Sequence, residues 1–179
     1  MNVAICEYGA GNVRSVALAF ARIGALFTDD VATADLAVLP GVGSAAAAMA
    51  GLRERGLDVA LRERVRAGRP VLGICLGLQL ALEESEEDGG VECLGILPGR
   101  SVRLREGRVP RIGWAPVDPH GNTFYFAHSY AAETPYATAM SEGIVAVAER
   151  GAFTGLQFHP EKSGVAGARF LEFLCHSLG

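Results

Sequence analysis

The sequence predicts a three-layer α/β sandwich, in which helices cover both faces of a mostly parallel central sheet. Residues 2–85 alternate short apolar segments, typical of buried strands, with amphipathic segments typical of helices, which is the pattern of parallel sheets. After Gly89 the chain changes to short strand-like segments joined by turns, which indicates antiparallel additions. At 179 residues, 50% of them hydrophobic, the chain suits one domain spanning 1–179.

The first half of the chain supplies the core elements. We expect strands over 2–8, 35–40 and 70–74, and helices over 13–23, 45–55, 57–68 and 76–85. Asn12 and Ser44 are placed to cap the first two helices, because short polar side chains accept hydrogen bonds from the free N–H groups at a helix start. Gly24 and Gly68 follow the first and third helices, where glycine commonly ends a helix.

The second half supplies the antiparallel additions and a closing helix. Short strands joined by turns are expected within 101–110, 122–130, 137–143 and 144–158. Ser163 is placed to cap the last helix. The apolar residues of that helix recur at helical spacing, and they are Val165, Ala168, Leu171, Leu174 and Leu178.

Composition and charge exclude several function classes. A net charge of −4 argues against nucleic acid or an anionic membrane as the main partner. No apolar run reaches the length of a membrane span, and the N-terminal segment lacks the features of a signal peptide. The four cysteines are far apart and include no C-x-x-C pair, so we expect free thiols in a cytoplasmic protein and no metal site.

Three turns are expected to meet at one edge of the sheet. Residues 9–12, residues 40–43 and the turn at Cys75 each follow a strand and open a helix, and sites in such sheets form beyond the carboxyl ends of the strands. The first of these turns is not a dinucleotide-binding motif, because Arg14 stands where that motif has its third glycine. No cofactor is therefore expected.

Cys75 lies in "GICLG", between an apolar strand and a helix, with a glycine two residues away on each side. One interpretation is an inert core cysteine, which is the commonest role of a free thiol. The other is a nucleophile on a strained strand-to-helix turn, where glycines permit a tight bend and close packing. The motif alone does not distinguish these interpretations.

A nucleophilic thiol needs a base, and four histidines are available. His120 lies in a turn and is expected to be solvated, and His176 lies in a last helical turn, where the helix dipole favours a cation. His128 follows a strand and is expected either to be structural or to line a site.

His159 has the strongest context, because it ends a strand at Pro160 and precedes Glu161 by two residues. In an extended segment, residues i and i+2 point to the same side, so this pair predicts a base with its orienting carboxylate.

Together these motifs resemble a known family. "GICLGLQ" followed far downstream by "HPE" is similar to the class I glutamine amidotransferases. The segments "YGAGN", "LPGVGS", "LGILPG", "VPRIGW", "YFAHSY" and "GLQFHPEKSG" resemble the glutaminase subunits of imidazole glycerol phosphate synthases, which act in histidine biosynthesis. The resemblance extends over nearly the whole chain and implies the flavodoxin-like fold of that family.

The resemblance also implies a mechanism and a set of site residues. Cys75, activated by His159 and oriented by Glu161, attacks the side-chain amide of glutamine to form a glutamyl thioester and release ammonia, and water then frees glutamate. The oxyanion hole is assigned to backbone N–H groups of Leu76, Val42 and Gly43, and the glutamine pocket to Gly41, Gln79, His128, Ser129 and Tyr130.

A partner follows from the same resemblance. Ammonia passes to a cyclase subunit with a (β/α)₈-barrel fold, and the expected assembly is a heterodimer whose glutaminase is nearly inactive without its partner. The interface positions are Asn12, Trp114, Tyr125 and Lys162, the last being the one lysine among sixteen basic residues. Arg111 and Ala115 depart from the residues usual in the family, on the side of the expected interface.

Three other functions fit parts of the sequence. One is the glutaminase of pyridoxal phosphate, anthranilate or aminodeoxychorismate synthesis, against which "PGVG" and "EKS" count. Another is a cysteine hydrolase that acts alone, which the H-P-E order and Gln79 disfavour. The third is a catalytically silent subunit, which the presence of all three triad residues disfavours.

Overall fold

The structure, a computed structural model, describes residues 1–9, 12–119 and 121–177. Its strands are β1 (Asn2–Ile5), β2 (Leu26–Phe27), β3 (Leu36–Leu39), β4 (Val71–Ile74), β5 (Glu84–Ser85), β6 (Val91–Glu92), β7 (Arg100–Arg103), β8 (Arg111–Val117), β9 (Asn122–His128), β10 (Tyr130–Glu133), β11 (Ala137–Ser141), β12 (Ile144–Arg150) and β13 (Phe153–Leu156). Its helices are α1 (Val13–Arg22), α2 (Ala45–Glu54), α3 (Leu57–Arg66), α4 (Leu76–Ala81) and α5 (Gly164–Ser177), with short 3₁₀ turns at Glu87–Gly89 and Pro160–Lys162.

The central sheet has seven strands in the order β11-β12-β13-β4-β3-β1-β2. The five strands from β13 to β2 run parallel, whereas β12 pairs antiparallel with β13 and β11 antiparallel with β12. A four-stranded sheet of order β10-β7-β5-β6 and the hairpin of β8 and β9 complete the structure. The predicted parallel sheet with antiparallel additions is confirmed.

Apolar clusters cover both faces of this sheet, because side chains alternate along each strand. In β3, Ala37 and Leu39 belong to a cluster that contains Met49 of α2, Leu61 of α3 and Leu80 of α4. The alternate side chains of β3 belong to a second cluster with residues of α1, α5 and β9. Helices on the two faces make three layers, as predicted.

The helix predicted over 76–85 is too long, since α4 ends at Ala81 and β5 follows. The carbonyl of Ala81 accepts the N–H groups of Ile96 and Leu97, both at 2.8 Å. A loop distant in sequence therefore takes the acceptor that a longer helix would have used. These are tertiary contacts, so the end of α4 could not be predicted from the local pattern of apolar residues.

Strand predictions in the second half were partly wrong. The strand expected within 101–110 is found only as β7, and β8 occupies residues 111–117, where no strand was predicted. β8 was not predicted because it contains Gly113 and Pro116, which are unfavourable in the interior of a strand. Its pairing with all seven residues of β9 overrides those preferences. The two-residue β2 was also not predicted.

The helix caps gave mixed outcomes. Ser44 caps α2 as predicted, since its side chain accepts the N–H of Ala47 at 3.3 Å. Asn12 immediately precedes α1, but its side chain makes no capping hydrogen bond, so that prediction was wrong. The Ser163 hydroxyl instead donates to the carbonyl of His159 and accepts the N–H of Tyr125.

Predictions that involve Ala10 and Gly11 of the first turn, His120 and Leu178 lie outside the described residues. Within the described ranges, every helix is too short or too polar to cross a membrane.

Candidate active site

Cys75 lies at the carboxyl end of β4, directly before α4, in a strained conformation with φ 52° and ψ −103°. Two glycines allow this turn. A Cβ atom on Gly73 would lie 2.8 Å from the backbone of Gly77, and one on Gly77 would lie 2.0 Å from the carbonyl oxygen of Leu39. The structure confirms the strained strand-to-helix turn.

Cys75 is 5% exposed, and its thiol lies beside polar groups. Its Sγ is 3.6 Å from Nε2 of Gln157 and 3.9 Å from the carbonyl oxygen of Ala127. Gln157 was not predicted as a site residue, yet it directly follows β13 and lies two residues before His159. The alternation of side chains could have placed it beside the site.

His159 and Glu161 form a buried pair. Nδ1 of His159 is 2.8 Å from Oε1 of Glu161, and each side chain is 1% exposed. The predicted contact between His159 and Glu161 is therefore present. The extended backbone predicted for it was wrong, because Pro160–Lys162 forms a 3₁₀ turn. The N–H of His159 donates to the carbonyl of Tyr125 at 2.8 Å, which fixes the backbone at this point.

Electrostatics favour the protonated form of His159. Burial disfavours the imidazolium, but the neighbouring Cys75 and Glu161 side chains outweigh burial and raise the pKa of His159 to about 9. The second ring nitrogen, Nε2, is buried and makes no hydrogen bond to the described part of the chain. Glu161 occupies Nδ1, so Nε2 is the ring nitrogen left for contact with a further group.

A small cavity of about 230 Å³ opens in front of Cys75. Its walls come from five segments of the chain that meet at this edge of the sheet, and they are Val42, Gly43, Cys75, Leu76, Gln79, Glu87, Pro110, Ile112, Ala127, His128, Ser129 and Tyr130. Of the residues predicted for the oxyanion hole and the glutamine pocket, only Gly41 does not line it. Gly41 lies underneath, where a Cβ atom would be 2.6 Å from Cβ of Leu76.

Three residues of the cavity wall were predicted to supply N–H groups to an oxyanion hole. Leu76 is the first residue of α4, where N–H groups have no acceptor within the helix. Opposite it, Val42 is 40% exposed and Gly43 has φ +112°, a conformation that other residues rarely adopt. Val42, Gly43 and Leu76 therefore line the same cavity as Cys75.

His128 is buried and neutral. Burial lowers its pKa to about 4, and the charges of Arg111 and His159 also lower it, whereas the hydrogen bond that His128 donates to the Tyr130 carbonyl raises it. Nδ1 of His128 is 2.9 Å from the carbonyl oxygen of Tyr130. A carbonyl can only accept, so Nδ1 carries the proton and Nε2, which is buried and unpaired with any described residue, is an acceptor.

Gln79 and Glu87 complete the polar wall. Nε2 of Gln79 donates to the carbonyl of Tyr130 at 2.8 Å and to Oε1 of Gln157 at 3.3 Å. Glu87 was not predicted, because nothing in the acidic run "EESEE" distinguishes it from its neighbours. It reaches the cavity only because the chain turns away from α4 at this point.

Of the four residues predicted for a partner interface, Trp114 and Tyr125 are paired across the β8–β9 hairpin. Trp114 is 57% exposed, and its ring contacts that of Tyr125 edge-to-face at 6.0 Å. Lys162 is exposed on the 3₁₀ turn after His159, and α1, which Asn12 precedes, packs against the same turn.

Comparison with known proteins gives matches over nearly the whole chain. The profile of the class-I glutamine amidotransferase family matches residues 15–176. The chain is 44% identical to "Imidazole glycerol phosphate synthase subunit HisH" of Symbiobacterium thermophilum, over 94% of this chain and 91% of that protein. It is 43% identical to the protein of the same name from Methanothermobacter thermautotrophicus, over 92% of this chain and 93% of that protein.

Solved structures are similar at the level of the fold. A structure titled "Crystal structure of glutamine amidotransferase" has a TM-score of 0.79 and 20% identity, and covers 99% of this chain and 98% of its own. "Structure of PurLQS from Thermotoga maritima" has a TM-score of 0.71 and 16% identity, with 98% of both chains covered.

Proposed function

This chain belongs to the class-I glutamine amidotransferases and, within them, to the HisH subunits of imidazole glycerol phosphate synthase, and on that premise we propose that it releases ammonia from glutamine through a Cys75–His159–Glu161 triad. The observation that carries this proposal is the buried pair of His159 and Glu161 beside a cysteine in a strained turn, at the mouth of a cavity lined with polar groups. These are the parts that nucleophilic catalysis by a thiol requires.

In the reactive state Cys75 is a thiolate and the proton resides on Nε2 of His159, whose raised pKa favours the imidazolium. Glu161 accepts a hydrogen bond from Nδ1 and stabilises this imidazolium. The thiolate attacks the amide carbon of glutamine, and the imidazolium then gives its proton to the departing nitrogen. Ammonia leaves, and a γ-glutamyl thioester remains on Cys75. Water, deprotonated by His159, hydrolyses the thioester to glutamate and restores the thiolate.

The negative charge on the amide oxygen develops close to the backbone of residues 42, 43 and 76. N–H groups of Leu76 and of Val42 or Gly43 are the proposed donors to that oxygen. Loss of one such donor typically lowers the rate by ~100-fold or more. Gly43 permits the peptide before it to rotate, because glycine adopts positive φ without strain.

Three polar side chains suit glutamine as substrate. Glu87 lines the cavity and matches the α-ammonium group in charge. Nε2 of His128 is an acceptor and suits the NH₂ of the side-chain amide, whereas the carboxylate of glutamate offers no donor there. Gln79 fixes the Tyr130 carbonyl, to which His128 also donates, and so holds this wall in place.

The proposed partner is the cyclase subunit of the synthase, a (β/α)₈ barrel that receives the ammonia through a tunnel, and the proposed location is the cytoplasm. Ammonia released into water at neutral pH would mostly become ammonium, which is not a nucleophile. The exposed Trp114 beside Tyr125, with Lys162 and Asn12 nearby, is the proposed contact surface.

Glutamate release tests the proposal. It is measured for the native chain, Cys75→Ala and Cys93→Ala, the last being a buried thiol remote from the cavity. Each protein is assayed alone, with the cyclase subunit, and with the cyclase and its nucleotide ligand. We expect a large increase with partner and ligand in the native chain and Cys93→Ala, and none in Cys75→Ala. Glutamate release by Cys75→Ala would overturn the triad, and indifference to the cyclase would overturn the partner.

A further inference from the structure

Two carboxylates of the 3₁₀ turn Glu87–Gly89 reach across to the start of α2. Oε2 of Glu87 accepts the N–H of Ala45 at 2.9 Å, and Oδ2 of Asp88 accepts the N–H of Ala46 at 3.2 Å. The hydroxyl of Ser44 donates to the same Asp88 oxygen at 2.6 Å. The first turn of α2 is therefore held from outside by a segment more than forty residues away.

We call residues 40–43 the oxyanion loop, because Val42 and Gly43 are proposed donors to the reacting oxygen. The start of α2, which the two carboxylates hold, directly follows this loop in the chain. The other end of the loop is also fixed, because the buried Tyr8 hydroxyl donates to the carbonyl of Pro40. Gly41 packs directly against the start of α4, where a Cβ atom would lie 3.1 Å from the N atom of Gly77. Only Val42 and Gly43, both exposed, lie between the two fixed ends.

Asp88 is suited to this contact in charge and conformation. Hydrogen bonds from Ser44 and Ala46 lower the pKa of Asp88, so its carboxyl group is ionised at neutral pH, and an anion is favoured at a helix N-terminus. Asp88 has φ 55°, a left-handed conformation that costs a non-glycine residue free energy and that aspartate tolerates better than most.

Glu87 connects the same contact to the substrate cavity, because it also lines that cavity. A carboxylate has two oxygens, so Glu87 can keep its bond to Ala45 and accept another from an ammonium group. A substrate that contacts Glu87 is therefore linked through this carboxylate to the first turn of α2, which directly follows the oxyanion loop.

We propose that the Glu87–Asp88 turn positions the oxyanion loop, and that Asp88 is a positioning residue for glutamine hydrolysis although it does not line the cavity. This inference rests on the proposed function. Loss of the Asp88 carboxylate removes the hydrogen bonds from Ser44 and Ala46 and leaves only Glu87 to hold the first turn of α2, so the donors at residues 42 and 43 shift relative to the reacting oxygen. A shift of about 1 Å is enough to lower a rate ~100-fold.

The test compares Asp88→Gly with Asp88→Asn in complex with the cyclase and its nucleotide ligand. Glycine accepts the left-handed conformation and removes the side chain without adding strain, whereas asparagine keeps the conformation and an acceptor oxygen. Glu54→Ala is the control, because it removes a carboxylate from the opposite end of α2. A chloroketone analogue of glutamine that alkylates Cys75 counts the active sites in each preparation.

For Asp88→Gly we expect kcat per active site to fall about 10-fold to 100-fold with KM within twofold, partial recovery in Asp88→Asn, and no change in Glu54→Ala. A kcat for Asp88→Gly within twofold of the native value, or a higher KM with kcat unchanged, would overturn the inference. These outcomes are separate from failure of the proposed function, in which the native complex itself would release no glutamate.

Discussion

His128 and His159 lie close together in one site and are held in opposite protonation states. Burial lowers the pKa of His128 to about 4, whereas the side chains of Cys75 and Glu161 raise the pKa of His159 to about 9 despite its burial. Sequence context singled out His159 as the predicted base and left His128 undecided. The difference could not be predicted, because it depends on which groups the fold brings to each ring.

Acid should destabilise the protein through His128. The unfolded chain binds a proton at this residue below its ordinary pKa of 6.5, whereas the folded chain does so only below about 4, so stability is lost as the pH falls between these values. Between pH 7 and pH 5 the native protein should lose about 2 kcal/mol more unfolding free energy than His128→Asn. Urea denaturation at the two pH values checks this, and equal losses in both proteins would contradict it.

The carboxylate of Glu161 should control the alkaline limb of catalysis. The imidazolium of His159 is present below its raised pKa, so activity should fall as the pH rises through about 9. Glu161→Gln removes the group that stabilises this cation, so the limb should move to lower pH and kcat should fall ~100-fold or more. The pH–rate profile of the complex measures both effects. Glu172→Gln, which alters an exposed carboxylate on α5, should leave the profile unchanged.

At the scale of elements, the turn from β4 through Cys75 into α4 was predictable from its two glycines, but the end of α4 was not. The glycines act locally, and their effect is visible in the spacing "GICLG". Ala81 ends the helix because its carbonyl bonds to residues 96 and 97, a contact that only the folded chain makes. β8 could not be predicted for the same reason, because its pairing with β9 outweighs the weak strand preferences of its own residues.

Gly77→Ala should damage this turn severely. The new Cβ atom would lie 2.0 Å from the Leu39 carbonyl oxygen, a backbone atom of β3 that cannot move freely. We expect a loss of about 3 kcal/mol or more, or failure to fold. Gly24→Ala is the matched control: its φ is +80° and nothing surrounds it, so strain alone should cost about 1 kcal/mol. Denaturant melts compare the two, and equal losses would contradict the clash.

At the scale of the whole molecule, the sequence predicted which segments form the site, and the structure brings them to one edge of the sheet. The loop at 40–43 and the turn at Cys75 meet there as expected, since both follow parallel strands. Glu87 and Gln157 join them without having been predicted. Glu87 comes from the segment after the early end of α4, and Gln157 directly follows β13, two residues before His159.

Trp114 should matter for partner binding and not for folding. Its side chain is 57% exposed, so Trp114→Ala should change unfolding free energy by only about 0.5 kcal/mol or less. In the complex, loss of a central aromatic contact should weaken binding of the cyclase by about 2 kcal/mol, or roughly 30-fold. Calorimetric titration measures this. Phe173→Ala, which removes a 72% exposed aromatic side chain from α5, should bind normally, and equal weakening in both would contradict the assignment.

The most direct test of the account is detection of the covalent intermediate on Cys75. The complex with cyclase and nucleotide ligand is quenched in acid during glutamine turnover, digested, and analysed by mass spectrometry. We predict that the peptide containing Cys75 gains the mass of glutamine minus ammonia, that the peptides of the other three cysteines do not, and that Cys75→Ala shows no adduct and releases no glutamate. Undiminished glutamate release by Cys75→Ala, or an adduct on another cysteine, would contradict the central claim.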